Sequence, residues 1–87
     1  MAQYLIESPH TKEECLKALD ELAAKPQVLE KFAFGCGAGE HTGYGMVEAP
    51  NESAAMEMVP SAVRAKARVH PLSRFTVEQI QQFHKGA

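Results

Sequence analysis

This 87-residue sequence predicts an α+β domain of order β-α-β-β-α-β with a short C-terminal helix. Three observations predict it. Residues 29–49, LEKFAFGCGAGEHTGYGMVEA, alternate with the period of two expected of strands on either side of a glycine-rich turn. Thr11 with Glu14, and Thr76 with Gln79, are capping boxes that open helices. Pro9, Pro26, Pro50 and Pro60 punctuate the chain where elements should end, begin or bend.

Residues 3–7 read as the first strand, which Ser8-Pro9 should end because proline lacks an amide donor and biases Ser8 away from helix. From Thr11, Leu16, Leu19, Leu22 and Ala23 recur at helical spacing as an apolar stripe, and Pro26 stops that helix. Strands two and three follow as a hairpin. Phe32, Phe34 and Cys36 alternate in the first arm, Tyr44, Met46 and Glu48 in the second, and five glycines leave the backbone bare for a tight reversal or a close ligand. A second helix starts near Asn51 or Glu52, buries some of Ala55, Met56, Met58, Val59, Ala62 and Val63, and breaks or kinks at Pro60. Met56 and Met58 read as core filling. Residues 68–73 form the fourth strand. Phe75 can staple to Ile80 across the second capping box, and the last helix runs to about Lys85. This order is the split β-α-β, ferredoxin-like arrangement, in a single domain over residues 1–87 with an antiparallel four-stranded sheet.

The chain is near the small end of what folds alone and buries only about 60% of its unfolded surface, a shortage that oligomerisation would relieve. Its net charge of -2 gives no broad basic field for a phosphate backbone, so nucleic acid is not an expected partner. The first ten residues lack a basic region followed by an apolar run, and no segment approaches the ~20 apolar residues of a membrane span. A cytoplasmic protein with no membrane partner is expected. Its two cysteines then read as free thiols, with a Cys15–Cys36 bridge as the alternative.

With these elements in hand, the chain resembles the small proteins of the dimeric α+β-barrel group, including muconolactone-isomerase-like, monooxygenase-like and nickel-binding members. The likeness spans residues 3–75 and rests on length, element order and the final strand VHPLSRF. It implies sheets packed face to face across a homodimer. No catalytic signature of the group transfers residue by residue, so the resemblance speaks to architecture and leaves the catalytic residues unknown.

In a sheet of order 4-1-3-2, the end of strand one, the start of the first helix, the hairpin turn and the start of strand four share one edge. His10, Cys15, Cys36, Glu40, His41 and His70 belong to those segments, and of the histidines only His84 lies outside. His10 before the Thr11 cap and Cys15 at the fourth helical position are the two places that meet in a hydrophobic staple. An imidazole there, with the helix N-terminus, favours a thiolate; the alternative is Cys15 as a small buried apolar residue under a His10 lid. Cys36, Glu40 and His41 offer soft and borderline donors for a late divalent metal, or else form a solvated turn. Tyr44 packs on the sheet or serves as a proton donor, and Arg64, Lys66 and Arg68 form a solvated run or hold an anion. No phosphate-loop or dinucleotide-binding pattern is present, and no serine, histidine and acid set stands out.

The expected function is binding of a small molecule or transition metal at a His/Cys-rich edge. His10, Cys36, Glu40 and His41 are the expected metal ligands, and His10, Cys15, Tyr44 and His70 the ligand-binding set. The cofactor is a divalent metal, nickel or zinc, or none. A small isomerase or cofactor-free monooxygenase, with Tyr44, His10 or His70 handling protons, and a thiol redox sensor are the alternatives. A homodimer should form through the open sheet face, with apolar residues from a set such as Phe32, Phe34, Tyr44 and Met46.

Overall fold

The computed structural model describes residues 1–86. Strand β1 (Ala2–Pro9) leads through the Thr11 cap into helix α1 (Lys12–Ala23), and a short helix α2 (Pro26–Leu29) precedes the hairpin of β2 (Phe32–Phe34) and β3 (Thr42–Ala49). Helix α3 (Glu52–Met56), a 3-10 segment (Ser61–Lys66), strand β4 (Arg68–Leu72) and helix α4 (Val77–Gly86) complete the chain. The strands form one antiparallel sheet in the order β2-β3-β1-β4. Among the described residues no helix is long and apolar enough to cross a membrane.

Alternation along the two central strands builds the core. Tyr4, Ile6 and Ser8 of β1, with Gly43, Gly45, Val47 and Ala49 of β3, are buried on the face that the helices cover. Ala18 and Leu22 from α1, Ala55 from α3, and Val59 and Val63 around the 3-10 segment close over them. The second helical region is broken as Pro60 requires, since Pro60 starts the 3-10 segment.

Several local expectations change. Strand β1 continues through Pro9 because Pro9 lies opposite Thr42 while the ladder to β4 has already ended at Glu7, so the missing donor faces no strand. Pro26 occupies the first position of α2 and so starts a helix in addition to following one. Leu16 is 67% exposed; α1 buries Ala18 and Leu22, with half-buried Cys15 and Leu19 beside them. Phe32 and Phe34 belong to the covered face, because opposite residues in an antiparallel pair share a face and these two oppose buried Gly45 and Gly43. A Cβ at Gly45 would lie 2.8 Å from the Phe32 ring, and one at Gly43 3.0 Å from the Phe34 ring. Those glycines are therefore the space the phenylalanines occupy. The open face instead carries Leu5, Glu7, Ala33, Tyr44, Met46, Glu48, His70 and Leu72.

Helix α4 keeps its capping box, with Thr76 Oγ1 accepting from Gln79 N at 3.1 Å and Gln79 Oε1 accepting from Thr76 N at 2.8 Å. The Phe75 ring rests edge-on against Phe83, with centroids 5.3 Å apart, in addition to any staple to Ile80. Every described residue from Ser73 onward is exposed. The molecule is correspondingly long, 51 × 28 × 21 Å with a radius of gyration of 15.7 Å, against about 12 Å for a compact chain of this length.

Candidate metal centre

Strand register assembles the site. Pro9 opposes Thr42, so one step further His10 opposes His41, and the His10 amide donates to the His41 carbonyl at 3.0 Å. On the other side of β3, Phe34 opposes Gly43 and Gly35 N donates to Thr42 O at 3.0 Å, so the same count carries Cys36 to His41. Cys36, His41 and His10 thus form a row just beyond the ends of three neighbouring strands. All three continue the face that carries Phe34, Gly43 and Ser8, which is the covered face.

The fourth member comes down from the helix layer. Thr11 caps α1, with its Oγ1 accepting from Glu14 N at 3.2 Å and Glu14 Oε1 accepting from Thr11 N at 2.8 Å. The Lys66 ammonium, 2.8 Å away, and the Thr11 amide hold the Glu14 carboxyl at a pKa of about 2, so this anchor stays charged throughout the neutral range. Cys15, next in the chain, then sits over the row. Its Sγ donates to Cys36 Sγ at 3.4 Å. After Cys36 a 3-10 turn (Cys36–Ala38) ends at Gly39, whose φ of 93° is a left-handed conformation suited to glycine.

His10, Cys15, Cys36 and His41 each present one donor atom, and the four atoms lie within 4.8 Å of one another. A tetrahedron with metal bonds of ~2.0 to 2.3 Å has edges of about 3.3 to 3.8 Å. His10 Nε2 and Cys36 Sγ are 3.2 Å apart, and the two sulfurs 3.4 Å, so two edges already have nearly that length. His10 is held in the tautomer that a ligand needs. Its Nδ1 is 3.1 Å from the Ser8 carbonyl, which can only accept, so Nδ1 carries the proton and Nε2 turns a lone pair toward Cys36. His41 completes the set in a different way: its Nδ1 is buried and has no hydrogen-bond partner among the described residues. Leaving such a nitrogen unsatisfied costs free energy that a ligand would recover. Burial, and then the adjacent Cys15 thiol, push the Cys36 thiol above its ordinary pKa. Without metal, protons therefore occupy a relay from Cys15 to Cys36 to His10. Two thiols and two imidazoles are the donor set of closed tetrahedral zinc sites.

The remaining sequence-derived residues lie elsewhere. Glu40 is adjacent to His41 but points to the opposite face, where the Tyr44 hydroxyl donates to it at 3.0 Å. That bond, with some desolvation, raises the Tyr44 pKa. His70 opposes Leu5 on the open face and pairs with Glu7 at 2.6 Å, so it does not approach His10. Glu7, Glu40 and Tyr44, with Pro9, Thr42, Lys66 and Arg68, border a depression of about 220 Å3. A second of about 520 Å3 runs between α3 and β4 beside Met56 and His70. Cys15, assigned from sequence to the ligand-binding set, stands where the metal set had Glu40; the signal was its place opposite His10 in the staple.

Comparison with protein-family models, curated proteins and solved structures gives no match for this chain.

Proposed function

We propose that the chain binds one divalent transition metal, zinc in preference to nickel, through His10, Cys15, Cys36 and His41. The observation that carries this reading is the convergence of four donor atoms within 4.8 Å, one belonging to His41, whose Nδ1 is buried and unpartnered. Three donors sit just beyond strand ends at one edge of the sheet and one on the helix above them, an arrangement suited to tetrahedral zinc and poorly suited to square-planar nickel. Four protein donors leave no open coordination position, so the metal's role is to tie α1 and the hairpin turn to β1 in a domain with a small core. A reducing compartment such as the cytoplasm suits the two thiols.

The isomerase or monooxygenase alternative has less support. It has Tyr44, His10 or His70 handling protons, yet each already has a partner: Tyr44 and His70 are bound to the carboxylates of Glu40 and Glu7 on the open face, and His10, under the helices, lies between the Ser8 carbonyl and the Cys36 thiol. The strand order, read from the other edge as 4-1-3-2, supports a ferredoxin-like architecture of the α+β-barrel type. A second copy of the chain is the proposed cover for the open face, since Met46 is 51% exposed and Phe75, Ile80 and Phe83 of the α4 region remain about half exposed.

Titration calorimetry with zinc and with nickel tests the metal reading. One zinc should bind per chain, and His41→Ala should weaken binding more than about 100-fold, beyond what loss of an outer-shell partner costs. Equal, negligible heats for the wild type and His41→Ala would refute it.

A further inference from the structure

Besides completing the donor set, the two thiols touch each other. Cys15 Sγ and Cys36 Sγ are 3.4 Å apart, and a disulfide needs ~2.05 Å, a closure of about 1.4 Å. The segment that carries Cys36 can supply it. Cys36 opens a three-residue 3-10 turn (Cys36–Ala38), and a Cβ at Gly37 would meet nothing within 4 Å, so the turn has room to shift on that side although Gly35 before it packs against the Glu40 carbonyl. Both cysteines are half-buried, open enough for a small oxidant. They are also the only two cysteines in the sequence, so within one chain each has only the other as a partner.

We propose that Cys15 and Cys36 are a redox-active dithiol that hydrogen peroxide converts to an intramolecular disulfide, with release of the metal. The release, though not the disulfide, rests on the metal reading above. One sulfur takes an oxygen from the peroxide, giving a sulfenic acid and one water. The other thiol then attacks that sulfur, the S–S bond forms, and the hydroxyl leaves with the second thiol proton as another water. Two thiols and one peroxide thus become one disulfide and two waters, with two electrons passing from sulfur to oxygen; from the zinc-bound thiolates the same two electrons pass, the two protons come from solvent, and the ion leaves as the hydrated dication. The product has lost both thiolates, and His10 and His41 remain as only two donors, too few for the three or four that a zinc site uses. A dithiol reductant restores the four-donor set. The site is then a metal staple that an oxidant opens, because the two sulfurs are neighbours around the ion.

The test treats metal-free and zinc-loaded wild-type protein with hydrogen peroxide, follows intact mass before and after alkylation, and reads released zinc with a chromogenic chelator. The expected product is a monomeric chain that has lost two hydrogens and resists alkylation. Zinc should appear in step with it and rebind after dithiothreitol. Cys36→Ser, checked for folding by circular dichroism, should form no intramolecular disulfide. Both cysteines still alkylated after peroxide, or oxygen added to each sulfur without an S–S bond, would overturn the proposal while leaving zinc binding intact. A reduced chain that takes up no zinc when zinc is added, yet forms the disulfide with peroxide, would overturn the release and the metal reading while leaving the redox dithiol.

Discussion

Two thiol protons occupy the positions that a metal ion would replace, and this sets how the site must respond to pH. Metal binding displaces the protons of Cys15 and Cys36, and the raised pKa of Cys36 extends proton competition further into the alkaline range. Apparent zinc affinity should therefore rise with pH, by about two decades per pH unit while both thiols must ionise. Competition against a chelator of known affinity at several pH values checks this; a flat profile would mean that the thiols are not ligands. In the metal-free protein, Cys36 should alkylate more slowly at neutral pH than an unhindered model thiol, since burial and the Cys15 thiol disfavour its thiolate. At this scale the sequence showed the right residue types but not their faces. Glu40 and His41 are adjacent, and in an extended chain adjacent side chains point to opposite sides, so only one could join Cys36. The parity that decides between them is set by which sheet face the helices cover, and that is a tertiary fact. His70 was misplaced for the same reason, being opposite Leu5 on the uncovered side.

At the scale of elements, capping boxes proved the most legible signals because they are local: one side chain satisfies one amide three residues away. Thr11 and Thr76 both cap as their spacing predicted. The apolar stripe of α1 was less legible. Leu16 attracts attention by its type, yet the buried positions are Ala18 and Leu22, because helical phase is fixed by the neighbouring layer. The Thr11 cap also positions Cys15, so Thr11→Ala should cost about 1 kcal/mol of stability and weaken zinc binding as well, measurable by denaturant unfolding and calorimetry on one sample. On β3, Gly45→Ala would bring a Cβ to 2.8 Å from the Phe32 ring. Overpacking of this kind costs about 1 to 3 kcal/mol, and an unchanged unfolding midpoint would contradict the observed packing of β2 on β3.

Exposed apolar side chains of the described residues gather on the open sheet face, at Tyr44 and Met46, and in the stripe of Phe75, Ile80 and Phe83. Sedimentation at micromolar concentration should give twice the 9.5 kDa chain mass. A monomer would leave both regions uncovered and remove the proposed self-association. Metal binding should also stabilise the whole domain, because the unfolded chain does not hold the four donors together. Zinc at about a hundred times its dissociation constant adds about 2.7 kcal/mol, which for a domain of this size raises the melting temperature by roughly 10 to 20 °C. A melting curve unmoved by zinc and by chelator would contradict the stapling role.

X-ray absorption at the zinc edge of the loaded, untagged protein counts the donor atoms around the ion by type. One zinc per chain is expected, with two sulfurs at ~2.3 Å and two imidazole nitrogens at ~2.0 to 2.1 Å. A shell of oxygen and nitrogen alone, or a single sulfur, would contradict it.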